Sequence, residues 1–202
     1  MKVTVFGTGY VGLTQAVCLA EVGHSVCCVD VNEQRIATLN EGRSPIYEPG
    51  MAALLHKGLA SKRLLFTTDA VQATHYADLI FIAVGTPPQA DGSADLRHVF
   101  SVVETIAAHA ADAKIIVNKS TSPVGTVDRI KARLAELQSS GAQAVRFQVV
   151  SNPEFLKEGS RSTTACVPSE SSSVPMTPRS SLVLSVIMWT TISPTSPMPA
   201  SL

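Results

Sequence analysis

The sequence predicts an α/β fold, a doubly wound parallel sheet of about six strands with helices on both faces. Short apolar runs alternate with segments of helical period from the first residues to about residue 150, which is typical of parallel strands joined by helices. The run at residues 77–84 is apolar almost throughout, as expected for a strand covered on both faces. A glycine-rich turn also joins the first strand to the first helix. Together these features favour the strand order 3-2-1-4-5-6.

The first strand and the turn after it carry the strongest functional signal. Val3, Val5 and Phe6 indicate a buried strand, and a GxGxxG motif follows at once: Gly7, Thr8, Gly9, Tyr10, Val11 and Gly12. In such a motif the first glycine permits the tight turn, the second lets the backbone approach a pyrophosphate, and the third lets the helix pack closely. The helix that follows offers free N–H groups and a partial positive charge to phosphates.

The second strand, residues 26–29, ends at Asp30, near the spacing of about 20 residues at which a carboxylate takes ribose hydroxyls. That charge repels a 2′-phosphate, so NAD is favoured over NADP. A GxGxxG motif alone is weak evidence of dinucleotide binding, but here strand, helix, second strand and acid occur in order, which predicts such binding.

Arg35 lies five residues after Asp30 and has two interpretations. It could stack on or bond the adenosine end of the cofactor, or it could be a solvated helix arginine, and the spacing leaves both open.

The remaining elements follow from apolar period and capping residues. Asn32 is a plausible cap for a helix over residues 32–40, with Ile36 and Leu39 inward, and Asp69 for another helix. Leu96, Val99, Val103 and Ile106 share one face of a long helix, residues 95–110. The other predictions are a turn-rich segment at 41–50, helices near 51–57 and 124–137, and strands at 64–67, 77–84, 114–118 and 147–150.

Three loops after predicted strands are candidate site segments, because ligands bind at the carboxyl ends of strands in such sheets. The first holds Val84, Gly85, Thr86 and Pro87, and its alternative is an ordinary strand-to-helix connection. The second holds Ser120 and Thr121, on the same rim as Gly7 and Thr86. The third follows the sixth strand and carries Glu154 and Glu158, which could serve as base and polar clamp or be the exposed first turn of a helix.

Composition excludes several classes of function. The formal net charge is zero, which gives no electrostatic case for nucleic acid or an anionic membrane. No apolar run reaches the roughly 20 residues of a membrane span, and the start of the chain lacks the apolar core of a signal peptide. The four cysteines show no zinc spacing, so no metal site is predicted. Three lie in apolar segments and fit a reducing cytoplasm: Cys18, Cys27 and Cys28.

Several separate stretches resemble one family, the UDP-glucose/GDP-mannose dehydrogenases, and specifically its N-terminal NAD-binding domain. They cover the chain to about Ser160 and begin at Phe6, Asp30, Ser44, Val84, Lys119 and Ser151: FGTGYVG, DVN, SPIYEPG, VGTPP, KSTSPVGT and SNPEFLKEG. The last two favour the UDP-glucose branch, with a GDP-mannose relative as the alternative. One departure is Ser122, where the family usually has valine.

The resemblance implies oxidation of the C6 alcohol of UDP-glucose to a carboxylate, with two hydride transfers to two NAD⁺. It implies that the cofactor is lined by the GxGxxG residues, by Asp30 and Arg35, and by residues 84–88 and 120–122. It also implies that a segment after the sixth strand borders the sugar nucleotide: Glu154, Phe155, Leu156, Lys157 and Glu158. Glu154 is then the base that activates water against a thioester, and Thr121 helps to hold that water. Glu158 is the alternative base or a nicotinamide contact.

The rest of the family's machinery has no recognisable counterpart in this sequence. The nucleophilic cysteine of the family lies in a Gly-Phe-Gly-Gly-x-Cys stretch, and Cys166 is not in one. The dimerising helix of the homodimeric family and its UDP-binding domain are likewise unmatched. Two hypotheses therefore stand, an NAD-dependent dehydrogenase represented by its cofactor half and an NAD-binding fragment without turnover, because the covalent step needs a thiolate.

From Arg161 the composition changes to Ser, Thr and Pro, which divides the chain into a domain at 1–160 and a tail at 161–202. Residues 161–174 can be back-translated so that a reading frame one base earlier gives AVNDCMRPERIVIG, which the family carries after Glu-Gly-Ser. We therefore predict that the tail is a frameshift product without a fold of its own. Its apolar patch at 182–189 would promote aggregation. The nucleotide sequence around codon 160 tests this.

Overall fold

The structure, a computed structural model of the chain, describes residues 1–139 and 145–152. Twelve helices and strands lie in these ranges, and strands alternate with helices except after β2, where two helices follow each other, as the sequence predicts. In chain order they are β1 (Lys2–Phe6), α1 (Tyr10–Glu21), β2 (Ser25–Val29), α2 (Glu33–Asn40), α3 (Met51–Ala60), β3 (Leu64–Thr67), α4 (Ala70–Tyr76), β4 (Leu79–Ile82), α5 (Arg97–His109), β5 (Lys114–Asn118), α6 (Thr126–Ser139) and β6 (Phe147–Ser151).

The six strands form one sheet in the order β3-β2-β1-β4-β5-β6, with every neighbouring pair parallel. The predicted order is confirmed. Because all strands run the same way, their carboxyl ends meet at one rim of the sheet. At that rim Phe6 of β1 lies beside Val29 of β2 and Ile82 of β4, so the segments after these three strands are neighbours.

Helices cover both faces of the sheet. Successive residues of each strand point to opposite faces, so Val5 faces one apolar cluster and Phe6 the other. The cluster around Val5 includes residues of α1, α2 and α3, among them Ile36 and Leu39 of α2. The cluster around Phe6 includes residues of α4, α5 and α6. Burial on both faces explains why these strands are mostly apolar and why β4 is apolar throughout.

Capping predictions hold at two helices. The Asn32 side chain accepts the backbone N–H of Arg35 at the start of α2, and the Asp69 side chain accepts those of Val71 and Gln72 at the start of α4. The four apolar residues predicted to share one face of the long helix are all buried, three of them in α5 and Leu96 just before it. Each of these predictions depends only on residues that are close to one another in the sequence.

Several predicted boundaries are wrong by a few residues. Strand β4 ends at Ile82, two residues earlier than predicted. Its neighbour β1 ends at Phe6, the partner of Ile82, because the chain turns at Gly7 directly after β1. Helix α6 starts at Thr126 because Gly125 has a positive φ of 87° that interrupts the helix direction. Helix α3 runs to Ala60, three residues beyond the prediction.

Some predictions fall outside the described residues. These are the roles of the segment after the sixth strand (Glu154, Phe155, Leu156, Lys157 and Glu158) and everything predicted for the tail at 161–202. In the part of the chain that is described, no helix has the length and apolarity that crossing a membrane requires.

Candidate functional site

The turn after β1 is packed so closely that only glycine fits at two positions. Gly7 has a φ of 99°, and a Cβ there would lie 2.4 Å from the carbonyl oxygen of Ala83. A Cβ on Gly12 would lie 2.0 Å from the carbonyl oxygen of Gly7. Helix α1 therefore presses directly against the turn, which aims the N–H groups of its first residues at the rim.

Gly9 differs from its two neighbours because space is open above it. A Cβ on Gly9 would meet no atom within 4 Å, and its φ of −69° suits any residue. Packing within the protein therefore does not require glycine at position 9. The absence of a side chain instead keeps the space beside the backbone open. Tyr10 follows as the first residue of α1, and its hydroxyl lies 3.4 Å from the Glu48 carboxylate. Val11 is partly buried against the cluster around Val5.

Asp30 follows β2 and is held from several sides. Its Oδ2 accepts the backbone N–H and the hydroxyl of Thr8, both at 2.8 Å, and its Oδ1 accepts the backbone N–H of Asn32 at 3.0 Å. Burial of the carboxyl acts to raise its pKa. The hydrogen bonds from Thr8 and Asn32 and the charge of Arg35 outweigh burial, so the pKa of Asp30 lies below its ordinary value. The carboxylate is therefore charged and fixed beside the glycine turn.

Arg35 takes a position that neither of its two sequence interpretations describes fully. Its Nη1 lies 3.3 Å from Oδ2 of Asp30, and its side chain is 38% exposed against 10% for Asp30. The guanidinium is thus not a purely solvated helix arginine, because one of its nitrogens contacts the carboxylate that follows β2.

The loops after β4 and β5 are tied to each other by two side-chain hydroxyls. Ser120 donates from Oγ to the carbonyl of Val84 at 2.8 Å, and Thr86 donates from Oγ1 to the carbonyl of Thr121 at 2.6 Å. Thr121 itself is exposed. The structure thus brings together the residues that the sequence predicted for one rim.

Further contacts fix the end of β5. The buried Lys119 donates from Nζ to Oδ1 of Asn152 at 2.9 Å, and the buried Asn118 donates from Nδ2 to Oγ of Ser122 at 3.0 Å. The other amide atom of Asn118, Oδ1, is buried and has no hydrogen-bond partner among the residues that the structure describes. Ser122, the departure from the family pattern, therefore has a specific partner here.

A cavity of about 320 Å³ lies beside Asp30, within the size range of small-molecule sites. Its walls come from the ends of β1 and β2, from the loop after β4 and from α5, including Gly7, Asp30, Val84, Gly85, Pro87 and Val102. Polar side chains of α5 also line it, namely His98, Ser101 and Thr105. No pattern used in the sequence analysis predicted these three. Helical periodicity could have revealed them, because residues 98, 101, 102 and 105 share one face of a helix. That face lies next to the apolar face predicted for residues 96, 99, 103 and 106.

The geometry defines a class of protein. A parallel sheet whose first strand passes through a glycine turn into a helix, with a fixed carboxylate one strand away and a cavity beside it, is a Rossmann-like dinucleotide-binding domain. The open space above Gly9 and the mostly apolar cavity beside Asp30 fit a pyrophosphate and an adenosine respectively.

The comparisons with known proteins identify the family. A family model described as "UDP-glucose/GDP-mannose dehydrogenase family, NAD binding domain" matches residues 1–169, so the chain belongs to this family, whose cofactor is NAD. It is 48% identical over 159 residues to UDP-glucose 6-dehydrogenase TuaD of Bacillus subtilis, covering 79% of this chain and 34% of that protein.

Two solved structures show the same likeness. A UDP-glucose dehydrogenase from Pyrobaculum islandicum is 41% identical with a TM-score of 0.75, covering 83% of this chain and 39% of that one. A ternary complex of GDP-mannose dehydrogenase from Pseudomonas aeruginosa is 35% identical with a TM-score of 0.80, covering 93% and 44%. The chain therefore spans about a third of the length of the curated relatives it matches.

Proposed function

We propose that this chain is the cofactor-binding part of an NAD-dependent dehydrogenase that oxidises UDP-glucose to UDP-glucuronate. The observation that carries the proposal is the Asp30 carboxylate, held by Thr8 of the glycine turn at the mouth of a cavity. The names of the similar proteins support the substrate, since TuaD of Bacillus subtilis is a UDP-glucose 6-dehydrogenase.

The residues of this site have distinct proposed roles toward the cofactor. The N–H groups at the start of α1 bind the pyrophosphate over Gly9, and Asp30 accepts hydroxyls of the adenosine ribose. The cavity walls from Val84 to Pro87 and from α5 enclose the adenine. Ser120 and Thr86 keep the loops after β5 and β4 at a fixed separation, which holds the nicotinamide side of the site in place.

The overall reaction proposed removes two hydrides from one alcohol carbon. Each hydride goes to one NAD⁺, one water supplies the second carboxylate oxygen, and three protons are released. NAD supplies the hydride acceptor when it is bound. The exposed hydroxyl of Thr121 is proposed to hold the water that Glu154 activates. Glu154 and its neighbours to Glu158 are proposed to contact the sugar nucleotide, and they lie outside the described residues.

A GDP-mannose substrate is the second candidate. The observation in its favour is the likeness to the GDP-mannose dehydrogenase of Pseudomonas aeruginosa, whose TM-score of 0.80 exceeds the 0.75 of the Pyrobaculum islandicum enzyme. Sequence identity favours the UDP-glucose branch, at 41% against 35% for these two structures.

Titration of the purified chain with NAD⁺ by calorimetry tests the cofactor proposal. We expect saturable binding that Asp30→Ala weakens about thirtyfold, because a hydrogen bond to a charged group contributes about 2 kcal/mol. The matched control is Asp112→Ala, which removes an exposed carboxylate just before β5. Asp112 lies at the amino ends of the strands, whereas Asp30 lies at their carboxyl ends. Equal affinity of wild type and Asp30→Ala would contradict the proposal.

NADH absorbance with UDP-glucose or GDP-mannose then tests the reaction. Faster turnover with UDP-glucose supports the first candidate, and faster turnover with GDP-mannose supports the second. Binding of NAD⁺ without turnover by either sugar nucleotide would support the binding-fragment hypothesis, in which this chain alone does not complete the reaction.

A further inference from the structure

A second cavity, of about 510 Å³, follows β3 at the edge of the sheet. Its walls are mostly apolar and come from β3, the end of α3 and α4, including Leu59, Leu65 and Tyr76. The buried thiol of Cys27 also lines it. Among the described residues, none that lines this β3 groove also lines the cavity beside Asp30, so the groove is separate from the proposed cofactor site.

The β3 groove arises because helices cover one face of β3 more fully than the other. Leu64 and Phe66 belong to the cluster around Val5, on the face that α2 and α3 cover. Leu65 points to the opposite face, where α4 packs on β1 and β2, and it is 46% exposed. A large apolar side chain in the middle of a strand is therefore left in water, and a ligand that covers it gains free energy.

Three cations lie at the end of the β3 groove where the strands begin. Lys62 lines the groove, Arg63 directly precedes β3, and the ammonium of Lys2 lies 5.1 Å from the centre of the Tyr76 ring. Within residues 1–139 and 145–152, none of the three forms an ion pair with a carboxylate. An anionic group bound at this end would therefore meet unpaired positive charge.

Other charged groups give the groove a direction. His24 lies at the same end, and its pKa is lowered by burial and then by the charges of the amino terminus and Arg63. Asp78, directly before β4, is paired with the buried Lys114. At the opposite end of the groove the Asp69 carboxylate caps α4. An anion is thus favoured where the strands begin and disfavoured where they end.

We propose that the β3 groove binds an amphipathic organic anion, with its apolar body against Leu65 and Tyr76 and its anionic group beside Lys62. The volume of the groove lies in the range of small-molecule sites. Contact with the apolar walls supplies most of the affinity, and the cations fix the orientation and discriminate against neutral molecules of the same shape. Aromatic acids and acyl carboxylates share this chemistry, and competition between them identifies the preferred body.

Fluorescence titration of the full chain with 8-anilinonaphthalene-1-sulfonate tests the proposal. Leu65→Glu places a carboxylate against the bound probe and should weaken its binding at least about tenfold, or 1.4 kcal/mol. Val71→Glu is the matched control, because it makes a similar change at an exposed apolar residue of α4 that does not line the groove. It should leave the affinity unchanged, and NAD⁺ should not displace the probe from wild type.

Lys62→Gln tests the anionic part of the proposal. It should weaken the sulfonate about threefold to fivefold, because one exposed charge pair contributes up to about 1 kcal/mol. It should not weaken N-phenyl-1-naphthylamine, which is the same molecule without the sulfonate. Lys131→Gln, which removes an exposed ammonium from α6, is the control. Displacement of the probe by decanoate would show that acyl anions are accepted, and its retention that the groove selects aromatic anions.

The proposal is overturned if Leu65→Glu and Val71→Glu bind the sulfonate equally well, or if Lys62→Gln changes the affinities of the charged and the neutral probe by the same factor. Complete displacement of the sulfonate by NAD⁺ would also overturn it, since the probe would then occupy the cofactor cavity. Lys62 is exposed and lies outside the helices and strands, so Lys62→Gln keeps the test decisive if Leu65→Glu does not fold.

Discussion

The two ends of the candidate site are held together in different ways. At the end of β2, a charged carboxylate is fixed by donors from Thr8 and Asn32 and lies beside an open cavity. At the end of β5, hydroxyl, amide and ammonium groups bind neighbouring loops instead, as Ser120 binds Val84 and Lys119 binds Asn152. The first end holds the carboxylate proposed to bind a ligand, and the second uses its side chains to hold the loops.

Polar residues at the ends of strands are therefore not equivalent as evidence of ligand binding. Asp30 is fixed and also lines a cavity, as expected of a residue that is proposed to bind a ligand. Ser120 and Asn118 are buried, and their side chains donate to the carbonyl of Val84 and to the hydroxyl of Ser122, which holds the loops in place. The residues predicted to contact a ligand at that end are 120–122 and the segment from Glu154 to Glu158, and that segment lies outside the described residues.

The largest expected effect on stability comes from replacing a glycine of the GxGxxG motif, which lies beside the end of β2. Gly12→Ala should lower the free energy of unfolding by about 3 kcal/mol, because its Cβ would lie 2.0 Å from the Gly7 carbonyl oxygen. The gain of about 1 kcal/mol in helix propensity is smaller. Thermal or urea unfolding measures the change.

Gly9→Ala is the matched control, because a Cβ there meets no atom within 4 Å. Because Gly9 is the N-cap of α1, alanine there should cost about 1 kcal/mol at most. It should still lose NAD⁺ affinity, since the methyl group enters the space proposed for the pyrophosphate. If Gly12→Ala were as stable as Gly9→Ala, the close packing of α1 on the turn would be wrong.

A substitution at the β5 end should have a smaller effect and act on stability. Ser122→Val removes the acceptor of the buried Asn118 amide, whose Oδ1 already has no partner among the residues described. Leaving a buried polar group unpaired costs about 1 to 3 kcal/mol, and valine at a half-buried position recovers about 1 kcal/mol at most.

The comparison variant is Ser122→Thr, which keeps the hydroxyl and should unfold close to wild type. Urea denaturation of the three proteins decides between the outcomes. A Ser122→Val chain as stable as wild type would show that the bond between residues 118 and 122 contributes nothing, and that the valine usual in the family is neutral here.

The smallest expected effect concerns the charge of Asp30. Its folded pKa lies below the ordinary value of 3.8, so it contributes stability above that pH and loses it as pH falls through the folded pKa. Wild type should therefore lose stability relative to Asp30→Asn below about pH 4. Urea unfolding across this range, with the exposed Asp112→Asn as control, measures the difference. Parallel curves for wild type and Asp30→Asn would contradict the hydrogen-bonded charge.

Much of the fold could be predicted because its signals are local. Neighbouring residues are enough to predict the apolar strands, the caps at Asn32 and Asp69, and the glycine turn. Together these elements imply the strand order. The end of β4 could not be predicted in this way. An apolar run reports burial, whereas the strand ends where its neighbour β1 ends, and that neighbour is remote in sequence.

The site was predictable in its positions and less so in its contacts. Asp30, Thr86 and Thr121 follow from the rule that ligands lie at strand ends. The pairing of Arg35 with Asp30 depends on a side-chain rotamer, which spacing does not determine. The polar wall of α5 was missed for another reason, because helical periodicity was used only to find apolar residues, and His98 and its neighbours lie on a different face.

The crossed bonds between the loops after β4 and β5 have an evolutionary consequence. Ser120 donates to one loop while Thr86 of that loop donates back, so a substitution in either loop is also felt in the other. In related sequences, these two loops should therefore be inherited as one co-varying unit, although more than 30 residues separate them in the chain.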